Sequence, residues 1–218
     1  MDDDLRDMVL EYGIEVNEST QFRIVAVKDA SASTTQSLCV MNETDGVGQC
    51  DILYAYSSDD NGDAVPIDLV KVNGDVASPN VTKSNSWSGF DLVMKITASY
   101  NTYKTTVGVA CYQPVGCLFM YTKGDSSLSV TYARAQYACQ GSVYSISDGV
   151  ASTSLGYTDT HNIYVTKDNP AANTYYSTTN KYSSTKCLMP FSGGPTLGSC
   201  LYYTIKINGV LKYAEIDF

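Results

Sequence analysis

LVMKITASYN (residues 92–101), TTVGVACY (105–112), CLFMYTK (117–123) and LSVTYARAQYAC (128–139) follow one another with only short breaks of Gly, Pro, Asp and Ser. In the first of them Leu92, Met94, Ile96, Ala98 and Tyr100 alternate with Val93, Lys95, Thr97 and Ser99, a period of two that sends each set to one face of a strand. Val107, Val109 and Cys111 continue the pattern, Gln113-Pro114-Val115-Gly116 is expected to break it, and Cys117, Phe119 and Tyr121 resume it. Leu128, Val130 and Tyr132 line one face of the last segment. The stretch therefore reads as four consecutive strands, to which the flanking apolar runs add.

Upstream, Phe22–Lys28 reads as a strand covered on both faces. Leu38–Asn42 and Cys50–Tyr56 form an expected hairpin around Asp45-Gly46. Val65–Val72 follows an acidic break, and Asn73-Gly74-Asp75 and Ser78-Pro79-Asn80 open a loose connector to about residue 88. Downstream, His161–Lys167 reads as a strand with Ile163 and Val165 on the face of His161. Asn208-Gly209 is a preferred pair for a two-residue hairpin. That turn predicts the pairs Ile207 with Val210, Ile205 with Lys212, Tyr203 with Ala214 and Leu201 with Ile216. Lys212 then falls on an apolar face, so a place near a sheet edge is expected, its stem over apolar surface and its amine in water. At the N-terminus Leu5, Met8, Val9 and Tyr12 recur at helical spacing before Gly13, which predicts one short amphipathic helix.

About eleven short strands separated by turns predict an all-β fold, an antiparallel β-sandwich, one large or two small and abutting, with a short N-terminal helix. The expected organisation is a helix over 1–13, an N-terminal β region over 14–83 and a C-terminal β-sandwich domain over 84–218. Composition agrees: the 218 residues include 18 Tyr and are only 17% charged, which suits pleated, half-exposed surfaces. A net charge of −9 with no long basic cluster excludes nucleic acid as the expected partner. No apolar run is long enough to span a bilayer as a helix. Met1 precedes three aspartates without a basic or apolar signal segment. A Tyr-, Ser- and Thr-rich composition poor in Arg and His leads us to expect an exported or cell-surface protein whose signal has been removed.

Four features could carry chemistry. The seven cysteines contain no CxxC pair, and with one histidine the common zinc spacings are missing. Either they are buried apolar thiols, or local disulfides join Cys39 with Cys50, Cys111 with Cys117 and Cys187 with Cys200, leaving Cys139. Thr196-Leu197-Gly198-Ser199-Cys200 resembles the Thr-Leu-x-Thr-Cys segment of sortases, β-barrel cysteine transpeptidases of bacterial cell walls. The resemblance implies Cys200 as nucleophile and His161 as its acid/base partner; the arginine that family places on the following strand has no counterpart after Arg134. Asp159 and His161 are spaced to share a strand face as a base and its orienter. Asp59, Asn61 and Asp63 on a Gly62 turn, with Asp68 nearby, are oxygen ligands of the type Ca²⁺ takes, set against a solvated loop.

Exposed aromatics complete the inventory. Trp87 with Tyr175, Tyr176 or Tyr182 could form a platform for a sugar or anchor a protein partner. The expected function is a non-catalytic, exported or cell-surface binding or adhesion module for glycan or protein, without a cofactor. The alternatives are a cysteine transpeptidase-like enzyme using Cys200 and His161, and a structural shell protein.

Overall fold

The computed structural model describes residues 3–29, 34–73, 76–79, 90–124, 127–191 and 199–217. The N-terminal periodicity forms helix α1 (Asp3–Glu11). It ends in a Schellman arrangement: Gly13 takes a φ of 67°, the Gly13 N–H donates to the Leu10 carbonyl at 3.0 Å and the Ile14 N–H to the Val9 carbonyl at 3.0 Å. Lys95 Nζ donates to the Tyr12 carbonyl at 3.0 Å, placing a cation at the negative end of the helix.

All other regular elements are strands: β1 (Gln21–Asp29), β2 (Thr34–Thr44), β3 (Val47–Ser58), β4 (Ala64–Ile67), β5 (Val70–Asn73), β6 (Val76–Pro79) and β7 (Leu92–Lys104). They continue with β8 (Ala110–Lys123), β9 (Val130–Ser147), β10 (Val150–Asp168), β11 (Tyr176–Thr179), β12 (Lys186–Pro190), β13 (Ser199–Ile207) and β14 (Val210–Asp217). The expected all-β antiparallel fold with one short N-terminal helix is the fold of the protein. Asp45-Gly46, Asp148-Gly149 and Asn208-Gly209 all carry two successive positive φ angles, the type I′ geometry that matches strand twist. The last of these sets the four pairs expected for β13 and β14. Lys212 is half-buried, two residues along β14 from its last described pairing with β1 at Ala214.

Twelve strands form one antiparallel sheet, and β5 with β6 forms a separate two-stranded one. β9 organises the large sheet. Its residues 132–147 pair with β10, and on its opposite edge residues 130–139 pair with β13 and residues 141–145 with β12. The pairing path leaves β9 through β12, runs β8, β7, β3, β2, β1, β14 and β13, and returns to β9. The sheet is thus folded over and joined to itself, its two halves facing across one core. Gly141 makes the β9–β12 contact possible, because a Cβ there would stand 2.1 Å from the Met189 carbonyl oxygen.

The inner core takes Tyr54, Tyr56, Tyr100, Phe119, Tyr137 and Tyr203 together with smaller residues of β1, β2, β9, β13 and β14. A second cluster lies outside the sheet, where Leu5, Met8, Val9, Tyr12 and Ile14 cover Leu38, Val40, Leu53, Ala55, Val93 and Met120.

The four-strand reading of 92–139 is corrected in three places: residues 105–109 link β7 to β8, with Val107 82% exposed, and Tyr132 turns outward while Leu128 and Val130 join the core. Gln113–Gly116 does not break the strand; β8 runs through it with a bulge, since Ser99 pairs with Gly116 and Tyr100 with Pro114. Pro114, lacking an N–H, is tolerated there, and its carbonyl accepts from the Tyr182 N–H at 3.0 Å. The extra residue reverses which face the side chains take, so Cys117 joins the inner core while Cys111 joins Ala151 and Cys187 in a third cluster.

Candidate functional site

The alternation along β9 puts Ala133, Ala135, Tyr137 and Cys139 into the core and leaves Tyr132, Arg134, Gln136, Ala138 and Gln140 on the outer face. Register extends that outer row sideways. Gln140 and Ala138 face Thr160 and Asn162 of β10, and Gln136 and Arg134 face Tyr164 and Thr166. On the other edge Gln136 and Arg134 face Tyr202 and Thr204 of β13, which face Glu215 and Tyr213 of β14. Four adjacent strands therefore present one surface of tyrosines, amides, hydroxyls and a guanidinium.

The side chains on this surface are organised. Arg134 Nη2 donates to Gln136 Oε1 at 3.0 Å, and Gln136 Nε2 donates to Asn162 Oδ1 at 3.0 Å. The guanidinium carbon lies 4.9 Å from the centroid of the Tyr164 ring, a cation–π contact, and Tyr164 is 57% exposed. On the far side the Tyr202 and Tyr213 rings stand 6.3 Å apart, tilted by 31°. Beside these two tyrosines runs a shallow groove of about 390 Å³, lined by Arg134, Gln136, Ala138, Gln140, Thr160, Asn162 and Thr204 together with Tyr202 and Tyr213. Opposite charges are interspersed around it, Arg134 and Lys206 with Asp168 and Glu215, so the face carries no strong field of one sign.

The expected aromatic platform is divided among different surroundings. Tyr175 lies over Lys95, whose Nζ is 4.9 Å from the ring centroid, on the side of the sheet where α1 packs. Tyr176 packs on Phe119 of the inner core, with centroids 5.2 Å apart, and its hydroxyl accepts from the Ala171 N–H at 2.8 Å. Tyr182 stacks edge-on to His161 at 5.4 Å and donates to Asp159 Oδ2 at 2.9 Å. Burial, and then the Asp159 carboxylate, push the Tyr182 hydroxyl well above its usual range. Trp87 lies outside the described residues.

Asp159 and His161 do share a face, as their spacing predicted, but each has another engagement. His161 Nε2 lies 2.5 Å from the Asn180 carbonyl oxygen, and Asp159 holds Tyr182. Along the backbone, His161 is in register with Cys139 and Ser199, while Cys200 is in register with Ala138 and Asn162. The Cys200 side chain and residues 196–198 lie outside the described residues.

The acidic turn is built from its own carboxylate. Asp59 Oδ1 accepts the N–H groups of Asn61 and Asp63, both at 2.9 Å, and Gly62 takes a φ of 81°. Asp68 Oδ1 accepts the Gln36 N–H at 2.7 Å, tying the β4–β5 link to β2. Among the described residues no three His, Cys, Asp or Glu side chains converge as a metal site would need, and no helix is long and apolar enough to cross a membrane.

The cysteines pair differently from the local scheme. Cys39 and Cys50 are fully buried with their sulfurs 3.2 Å apart, as expected from the hairpin. Cys111 and Cys117 lie on one strand on opposite faces, and the hydrogen-bond partner of Cys111 is Cys187. That bond eases ionisation of Cys111, while the hydrogen bond with Cys111, and then burial, raise Cys187 far above the usual thiol range.

Compared with protein-family models, curated proteins and solved structures, the chain has no significant match.

The outer-face site was absent from the sequence reading. Its signal was Asp148-Gly149, a pair that takes the same turn geometry as Asn208-Gly209 of the closing hairpin. Taken as a turn, it makes residues 130–147 and 150–168 one long hairpin, but two register shifts beyond Ala151 are needed before Gln136 and Arg134 stand opposite Tyr164 and Thr166.

Proposed function

We propose that this protein is a non-catalytic, exported module of the cell surface that binds a neutral glycan on the outer face of β10, β9, β13 and β14. The observation that carries the reading is the Arg134–Gln136–Asn162 hydrogen-bonded line set between Tyr164 on one side and Tyr202 and Tyr213 on the other. A sugar ring offers apolar C–H faces that pack on tyrosine, and hydroxyl groups that pair with planar amides and guanidinium. The groove is open and shallow, which suits a chain passing over the face better than a small molecule enclosed in it. The mixed charges around the groove, with the net charge of −9 on the whole chain, disfavour polyanions.

The test is retention on immobilised neutral polysaccharides and a glycan array, comparing the wild type with Arg134→Ala, Gln136→Ala, Tyr202→Ala and Tyr213→Ala. The expected outcome is retention of the wild type on at least one neutral glycan and a loss of tenfold or more in each variant, with unchanged circular dichroism. Equal retention by all four variants would locate binding elsewhere, and no retention of the wild type on any glycan would remove the ligand class.

A further inference from the structure

Six of the seven cysteines are described, all are buried, and four of them stand in two cross-strand pairs. Cys39 on β2 and Cys50 on β3 are diagonal neighbours on the inner face, because Met41 pairs with Cys50 and Cys39 with Ile52. Their sulfurs at 3.2 Å need to close by only about 1 Å to reach bonding distance. Cys111 on β8 and Cys187 on β12 are also diagonal, flanking the pair Leu188–Tyr112, and their thiols are hydrogen-bonded to each other.

The second pair sits at a weak joint of the molecule. Between β12 and β8 the closed sheet is held by that single residue pair. Around it, Gln113 Nε2 donates to the carbonyls of Ser183 and Lys186, and its Oε1 accepts from Asn101 Nδ2 at 2.8 Å. A covalent bond between Cys111 and Cys187 would lock this joint and close a loop of roughly 75 residues that contains β9 and β10. Cys117 and Cys139 are buried in the inner core on β8 and β9.

We propose that Cys39 with Cys50 and Cys111 with Cys187 form two disulfides when the chain folds in the presence of a small-molecule disulfide of the glutathione type. The step balances within each pair. One protein thiolate attacks the small disulfide, forming a mixed disulfide and expelling one small thiolate. The second protein thiolate then attacks the mixed disulfide, forming the protein S–S bond and releasing the other. Two protein thiols are oxidised, one small disulfide is reduced to two thiols, and the two protons given up by the protein thiols are taken up by the expelled thiolates. Both pairs are buried in the folded protein, so the exchange belongs to folding, before the strands close over the sulfurs.

The test is to refold the full chain from denaturant in a mixture of reduced and oxidised glutathione, alkylate it under denaturing conditions and map the digest by mass spectrometry. The expected map has peptides linked 39–50 and 111–187. Seven alkylated cysteines in protein that has regained its native circular dichroism, or links between Cys111 and Cys117 or Cys187 and Cys200, would overturn the assignment. A second measurement separates cross-linking from packing: Cys187→Ala should lower the melting temperature on the order of 10 °C more in oxidised than in reduced protein. An equal loss in both states would mean that the side chain only fills space.

Discussion

The outer faces of β3 and β9 lie on the same continuous sheet and meet water differently. Outside β2, β3, β7 and β8 the outward positions are Leu38, Val40, Leu53, Ala55, Val93 and Met120, and α1 with Ile14 lies over them. Outside β10, β9, β13 and β14 the outward positions are Tyr164, Asn162, Arg134, Gln136, Tyr202 and Tyr213, and the groove between them opens to solvent. The backbone ladder is common to both. What differs is the set of side chains that the period-two alternation turns outward, and with it whether the face must be covered to be stable. A covered face reports on stability, while an open face built of tyrosine, amide and guanidinium is free to report on a ligand.

Substitutions should separate the two faces cleanly. The largest effect on stability belongs to the covered one: Leu53→Ala leaves a cavity under α1 and should cost about 2–5 kcal/mol. A thermal melt reads this as a loss of about 10 °C, while glycan retention at low temperature stays near wild type. Arg134→Ala should do the reverse, moving the melt by no more than about 2 °C while retention falls tenfold. If Leu53→Ala abolished retention in still-folded protein, or Arg134→Ala unfolded the chain, the division between the faces would fail.

A finer test lies in the one buried acidic side chain among the described residues. Asp51 is fully buried on β3, and desolvation raises its carboxyl above the usual range, although Thr97 Oγ1 at 2.5 Å and Gln49 Nε2 at 2.6 Å donate to it and Lys95 is near. A raised folded-state value means that the folded protein holds this proton more tightly than the unfolded chain. Its contribution to stability is therefore full below the ordinary carboxyl value of about 4 and is lost as pH rises through the raised one. The slope of melting temperature with pH above 4 should change in Asp51→Asn by the removal of this falling component, and an identical slope in the two proteins would show that Asp51 does not titrate abnormally.

The smallest effect is expected inside the sheet. The Tyr203 hydroxyl is fully buried with no hydrogen-bond partner among the described residues, edge-on to Tyr54 with centroids 5.0 Å apart. Tyr203→Phe removes an unsatisfied polar atom while keeping the ring, so the melting temperature should stay level or rise by a few degrees, about 1 kcal/mol or less. A clear fall would mean that the hydroxyl is satisfied after all.

Much of this architecture was legible in local chemistry. Asn208-Gly209 specified the register of the last hairpin residue by residue, because a two-residue turn leaves no slack. Leu5, Met8, Val9 and Tyr12 specified the covering helix because they all had to meet one apolar surface. The parts that escaped are those where one residue slips. The bulge at Pro114-Val115 reversed the faces of Cys111 and Cys117 and redirected Cys111 to a strand far along the chain. Between β9 and β10 the register shifts after Ala151 and again after Ser154, with Gly156 at a φ of 76°, so even a correctly placed Asp148-Gly149 turn would not have given the pairing of His161 with Cys139. The open face needed four strands from two hairpins to be set side by side, which is non-local information that periodicity does not carry.

The most direct test of the glycan-binding face is hydrogen–deuterium exchange of the full protein with and without a retained oligosaccharide. Protection confined to peptides over 132–140, 160–166 and 202–213, with 51–55 and 93–97 unchanged, is the predicted footprint. Protection centred on residues 175–182 or around Trp87, with 132–140 unchanged, would contradict it.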